Sequence, residues 1–187
     1  AEQGQKLDQI MLVEARALAF ELRELWELAI GQYRNALETD SSLAFAQQGL
    51  QRAQSRADLD LKLINIIENP DLLFNDRVLR DTESLLTDAH GISEAGPRLG
   101  EQVIELSRLV RLASTPIRVE IHSDEQTEVT VYRVGQLGKF RVRNLELRPG
   151  SYTVVGSRDG FVDVRQTLNV VPGRESSPIM VECVESI

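Results

Sequence analysis

The sequence predicts an α+β protein in two segregated parts: an α-helical N-terminal domain over residues 1–113 and an antiparallel β-sandwich over residues 114–187. Three observations predict it. Leu, Ala, Glu, Arg and Gln, all helix formers, dominate up to Ser114-Thr115-Pro116, whereas Val, Thr, Tyr and Gly-containing turns dominate after it. Apolar residues recur at three- and four-residue spacing in the first part and alternate in the second. Pro116 disfavours helical backbone at the residue before it, so a helix that ends near Ala113 makes a natural junction.

Five helices account for the first part. Residues 5–22 carry Leu7, Ile10, Met11, Ala17, Leu18 and Phe20 at mixed helical spacing. Residues 25–38 carry Trp26, Ala29, Ile30, Tyr33, Ala36 and Leu37, a clean amphipathic stripe. Asp40-Ser41-Ser42 interrupts it and offers N-cap oxygens to a helix over 43–68, with a bend expected near Gly49. Asn69-Pro70-Asp71 ends that helix. A fourth, over 71–89, offers Leu72, Leu73, Val78, Leu79, Leu85 and Leu86 to the core, with Gly91 as its C-cap. A fifth begins at Pro97 and carries Leu99, Val103, Ile104, Leu106, Leu109, Val110 and Leu112.

The strands follow from period-two alternation and from the turns between them. Ile117, Val119 and Ile121 share one face of the first strand. Asp124-Glu125-Gln126 turns into a strand over 128–134 with Val129 and Val131. A turn is expected over Gly135–Gly138, and then a strand in which Phe140 and Val142 alternate with Lys139, Arg141 and Arg143. Pro149-Gly150 turns again, with Gly supplying positive φ. Tyr152 and Val154 mark the next strand, Asp159-Gly160 the next hairpin turn, and Val164, Leu168 and Val170 the strand beyond it. After Pro172-Gly173, Ile179, Val181 and Cys183 alternate with Met180, Glu182 and Val184. Turns at this spacing are those of a sandwich.

Charge narrows the function classes. Residues 1–113 hold 12 Lys+Arg against 19 Asp+Glu, net −7, and residues 114–187 hold 9 against 10, net −1. An acidic helical part repels phosphates, so no nucleic-acid partner is expected. The chain has no apolar run of about 18 residues, so membrane attachment would need a segment not present here. It opens on Ala1 with helical periodicity almost at once, which points to a processed protein or an excised fragment. Cys183 is the single cysteine, which excludes an internal disulfide and argues against a structural zinc site.

No constellation of residues points to catalysis. His90 and His122 are the two histidines, and neither has a second His or a Cys at ligand spacing. Nothing resembling a nucleophile elbow or a phosphate-cradling glycine loop is present. No enzyme activity, cofactor or metal is expected, and His122-Ser123-Asp124-Glu125 reads as a solvated loop rather than a cation site. Lys139, Arg141 and Arg143 on one strand face would form a basic row about 7 Å between members. Such a row suits an acidic partner, an acidic glycan or a cell-wall polymer. Trp26, Tyr33 and Phe45 read as inter-helix core. Gln32, Arg34, Gln47 and Gln48 are the candidates for an exposed groove on the helices. Tyr132 and Phe161 are the aromatics that a glycan could use.

Residues 13–46 resemble one tetratricopeptide repeat. Ala29, Tyr33, Ala36, Leu37 and Asp40 carry the resemblance in the second helix, and Ala17 and Phe20 carry it in the first. Small residues at Ala29 and Ala36 would let two antiparallel helices approach closely, with Tyr33 filling the space between them. A single repeat cannot bury its own face, so the later helices would complete or cap a solenoid. Residues 116–184 resemble a PEGA domain through Leu145-Glu146-Leu147-Arg148-Pro149-Gly150-Ser151-Tyr152-Thr153-Val154, then Arg158-Asp159-Gly160-Phe161 and Val170-Val171-Pro172-Gly173. Phe161 stands where that family commonly has Tyr.

These resemblances imply a non-catalytic interaction or scaffold module that binds a protein partner, a peptide or a helix. They imply a bacterial envelope protein, in the periplasm or on the outer face of the membrane, with a cytoplasmic setting left open. Peptidoglycan or other glycan recognition by the sandwich is the competing expectation, and self-association is left open.

Overall fold

The structure, a computed structural model, describes residues 2–174 and 177–187, with side chains from Asp8 onward. The expected core residue Leu7 lies outside the described side chains. The fold is α+β, with helices first and two sheets after them. The helices are α1 (Glu2–Leu22), α2 (Trp26–Thr39), α3 (Ala44–Glu68), α4 (Asp76–His90) and α5 (Pro97–Ser114). The strands are β1 (Ile117–Ser123), β2 (Glu128–Val131), β3 (Gly135–Gly138), β4 (Val142–Leu147), β5 (Gly150–Ser157), β6 (Val164–Val170) and β7 (Ile179–Val181). Helix gives way to strand at Thr115-Pro116. The compact units divide the chain differently: residues 1–69 with 84–107, and residues 70–83 with 108–187.

The first unit has its core where α1, α2 and α3 meet. Ala17 of α1, Trp26, Ala29, Ile30, Tyr33 and Ala36 of α2, and Ala46, Ala53 and Ala57 of α3 form one buried cluster. The alanines bring the backbones close, and Tyr33 fills the space between them. Gly49 on α3 is the closest approach. A Cβ there would lie 2.3 to 2.8 Å from the Tyr33 ring, so only glycine fits. Gly49 therefore serves packing within a continuous α3. Asp40 Oδ1 accepts from the Ser42 N–H at 2.9 Å and closes its own turn, and α3 starts without a side-chain cap, contrary to expectation.

The expected helix over 71–89 is two elements, a 3-10 turn at Pro70–Phe74 and then α4. Asn75 divides them: its Oδ1 accepts the N–H groups of Arg77 at 2.9 Å and Val78 at 3.3 Å, which caps α4. Leu73, Leu79 and Leu86 are buried, whereas Leu72 is exposed on the short turn.

In the second unit, one sheet has the order β4-β1-β7 and the other β3-β2-β5-β6. The second sheet is antiparallel throughout. The first is not, because β7 runs parallel to β1, with Ile121 opposite Ile179. That corrects the wholly antiparallel expectation. Val119, Ile121, Leu147 and Val181 from one sheet share a buried cluster with Val129, Val131, Val154, Leu168 and Val170 from the other.

Residues 135–138, expected as a turn, are β3. The turn falls at Tyr132-Arg133-Val134, where Arg133 takes a positive φ of 68° that sequence reading reserves for glycine.

Candidate functional site

The α1 helix has two apolar faces. Val13, Ala17 and Phe20 pack toward α2 and α3. On the other side, Met11 is 59% exposed, Leu12 50%, Leu18 44% and Leu22 82%, with Ala15 and Ala19 exposed between them. At 3.6 residues per turn these six positions share an arc of about 120°, directed away from the buried face. Glu14 and Glu21 border the stripe on one side, and Arg16 borders it on the other, with Arg23 in the turn that follows. Met11 and Leu18 read in the sequence as core positions, and the structure places both at the surface. The signal lay in Leu12, Ala15 and Leu22, which extend the apolar positions beyond what one face needs.

The buried face is locked by polar contacts at its edge. Tyr33 Oη donates to Glu21 Oε1 at 3.0 Å. Arg52 holds the same carboxylate through Nε at 3.1 Å and Nη2 at 3.0 Å. Burial, then the hydrogen bond to Glu21, pushes the Tyr33 pKa up to about 12. Arg52 is raised as well, by Glu21 above all. Tyr33 and Phe45 meet edge to face at 6.5 Å, and Trp26 is buried, so these aromatics are core.

Glu24 is the most buried carboxylate in the first unit's polar network, and it acts as a cap. It follows α1 with a φ of 54°. Its oxygens accept the N–H groups of Arg98 at 2.7 Å and Leu99 at 3.0 Å, the first free donors of α5. Arg56 Nη2 stands 3.5 Å from it, and the same guanidinium lies 4.6 Å over the Trp26 ring. Asp60 takes Arg98 in a two-pronged pair and also accepts from Gln102 at 2.7 Å. Every carboxylate oxygen in this cluster has a donor, so its geometry is that of a helix anchor. Beside it, Leu25, Trp26, Leu28, Ala57 and Leu61 line a shallow cleft of about 220 Å³.

Of the groove candidates, Arg34, Gln47 and Gln48 are exposed and Gln32 is half-buried. Gln47 donates to Ser41 O at 2.8 Å, a local contact at the start of α3. The basic row is corrected. Lys139 and Arg141 sit in the bend between β3 and β4, where the chain passes from one sheet to the other, and only Arg143 is on a strand. Arg143 donates to Leu137 O at 2.8 Å and lies 5.8 Å over the Phe140 ring.

On the second unit, Tyr132 and Phe161 are each overlaid by a guanidinium, Arg165 at 5.6 Å and Arg158 at 4.1 Å. A cleft of about 380 Å³ is lined by Phe74, Asp76, Arg133, Glu146, Arg148 and Tyr152, but its two acids balance its two arginines and are partly paired with them, as Asp76 is with Arg148. Asp124 closes the loop after β1. Burial raises its pKa, but the N–H groups of Thr127 and Gln126, the Thr127 hydroxyl and Arg158 outweigh this and hold it below the usual value. His90 Nδ1 meets Leu86 O at 2.7 Å at the end of α4, and His122 pairs with Glu120. Among the described residues no group of acids, His and Cys could hold a metal ion, and no helix is long and apolar enough to cross a membrane. Compared with known proteins, the chain matches no protein-family model and no curated protein.

Proposed function

We propose that the chain is a non-catalytic protein-recognition module and that a partner polypeptide docks on the exposed apolar face of α1. The reading takes α1–α3 as a tetratricopeptide-like segment of a solenoid and the two sheets as a PEGA-like β-sandwich, carried by a bacterial envelope-associated protein. The observation that carries it is the stripe Met11, Leu12, Ala15, Leu18, Ala19 and Leu22, solvent-facing and bordered by charge. Apolar patches rimmed by polar residues mark contact surfaces, and burying one such leucine contributes about 1.5–3 kcal/mol. A helical repeat with one side open also suits an architecture in which each repeat is covered by a neighbour.

Glycan recognition through Tyr132 and Phe161 has less support. A sugar ring stacks on a bare aromatic face, and arginine already covers one face of each of these rings.

A photo-cross-linking residue at Leu18, in cells that produce the protein, tests the reading. A protein adduct from Leu18 and none from Arg77, an exposed position on α4, is expected. Equal or absent labelling at Leu18 would overturn it.

A further inference from the structure

Independently of what docks on α1, we infer that the Asp159-Gly160 turn is a site of spontaneous main-chain modification, at which aspartate converts to isoaspartate and loosens the hold on residues 185–187. Asp159-Gly160 is the chain's one Asp-Gly pair, and the chain has no Asn-Gly. The reaction needs a side-chain carboxyl free to turn, a following N–H free to react, and room between them. Glycine meets the last condition best, because it has no side chain to block the approach.

The structure supplies all three. Asp159 and Gly160 are both exposed in the turn between β5 and β6. Among the described residues the Asp159 carboxylate meets no donor and the Gly160 N–H meets no acceptor. A Cβ on Gly160 would have nothing within 4 Å. The Phe161 N–H closes the turn by donating to Arg158 O at 3.0 Å. The Asp159-Gly160 peptide is the central one of that turn, so it can rotate while the closing bond holds. Three other loop residues of the same kind are engaged instead. Asp40 accepts from Ser42, Asn75 from Arg77 and Val78, and Asp124 from Gln126 and Thr127. Asp58 and Asn65, within α3, precede N–H groups committed to the helix.

The step balances with no co-reactant but water. The Gly160 nitrogen attacks the protonated Asp159 carboxyl at Cγ. A C–N bond forms, the C–OH bond breaks, and the hydroxyl leaves as water with the amide proton. The product is a cyclic imide. Water then opens it at either carbonyl. Opening at Cγ restores aspartate, whereas opening at the main-chain carbonyl leaves isoaspartate, with the chain running through Cβ and Cγ. That chain is one methylene longer at a turn tied to residues 185–187. Gly160 O accepts the Ile187 N–H at 3.0 Å, the Val162 N–H donates to Glu185 O at 2.8 Å, and Phe161 pairs with Ser186. The longer turn displaces Gly160 and Phe161 from these partners.

Ageing of the full chain at neutral pH tests the inference. Trypsin releases residues 159–165, and electron-transfer fragmentation tells isoaspartate from aspartate at equal mass. Isoaspartate is expected at residue 159 ahead of every other position, with a trace of the imide, lighter by one water. Asp159→Glu, which would need a larger ring, should stay unmodified with an unchanged circular dichroism spectrum. In the isolated isomer the Val162 and Ile187 amides should exchange hydrogen about tenfold faster, the equivalent of one lost hydrogen bond. A native chain that keeps aspartate at residue 159 while the same chain in urea converts it overturns the inference. So does an isomer whose Val162 and Ile187 amides exchange as in the unmodified protein.

Discussion

Glu24 accepts the backbone N–H of Leu99 at 3.0 Å across 75 positions of sequence. A side chain at the end of α1 therefore completes the start of α5, and it also takes the N–H of Arg98. Glu24→Ala would leave both donors without an acceptor and Arg56 without its carboxylate. A loss of about 2–4 kcal/mol is expected in urea unfolding, above the usual cost of a lost cap. Glu24→Gln, which keeps one good acceptor, should lose less. Gly96→Ala is expected to be as harmful as Glu24→Ala, because its Cβ would come within 2.4 Å of the Glu24 carboxylate.

Gly49→Ala opposes two effects. Alanine in a helix interior is favoured by about 1 kcal/mol over glycine. Here the added methyl would enter the Tyr33 ring, and overpacking of this kind costs about 1–3 kcal/mol. A net loss of stability is expected. The double variant Gly49→Ala with Tyr33→Leu should recover part of it, measured as a change in denaturation midpoint.

Tyr33 should make stability fall at high pH. Its folded pKa is raised to about 12 from 10.0, so its contribution is complete below pH 10 and is lost as the pH rises toward 12. The sign follows from the unfolded chain, which releases the phenolic proton first. An effect of order 2 kcal/mol is expected across that window. Titration of phenolate absorbance should show a late phase in the wild type that Tyr33→Phe removes. If the late phase persists in Tyr33→Phe, it does not belong to Tyr33.

Gly156 on β5 is confined by the core of the second unit. A Cβ there would lie 2.8 Å from Thr127 Cγ2 and 2.9 Å from Val181 Cγ1. Gly156→Ala is therefore expected to lower the melting temperature by several degrees, although alanine is tolerated in most strands. Gly160→Ala, with open space around it and a φ of 81°, should cost less than a clash and act only through backbone strain.

The period of the apolar residues made most of this fold legible. Trp26, Ala29, Ile30, Tyr33 and Ala36 read as one buried stripe, and Val119, Ile121, Val129 and Val131 as two inward strand faces. Contacts between residues distant in sequence were not legible. Nothing near Glu24 in the sequence reveals that its carboxylate caps a helix that starts at Pro97. Gly49 suggests a bend until the Tyr33 ring is placed against it. The β3 strand was missed because Arg133 adopts a conformation usually left to glycine, which moves the turn three residues earlier. The basic row failed for a related reason: alternation persists through residues 139–143, yet the chain is changing sheets there. The exposed stripe on α1 was written in the sequence, but burial was needed to show which of its two apolar sides the molecule uses for itself.

The parallel pairing of β7 with β1 sets an order of assembly. β1 can pair with β4 once residues 124–147 have followed it, but its other edge must wait for Val181. Ser123 Oγ donates to Val181 O at 2.8 Å, and the Cys183 N–H donates to Thr127 Oγ1 at 3.1 Å, so the latest strand also satisfies groups laid down near the first. A growing chain therefore holds an open sheet edge, and a core that still lacks Val181, until nearly all of this unit has left the ribosome. Nascent chains halted before residue 179 should attract chaperones in a way that slightly longer ones do not.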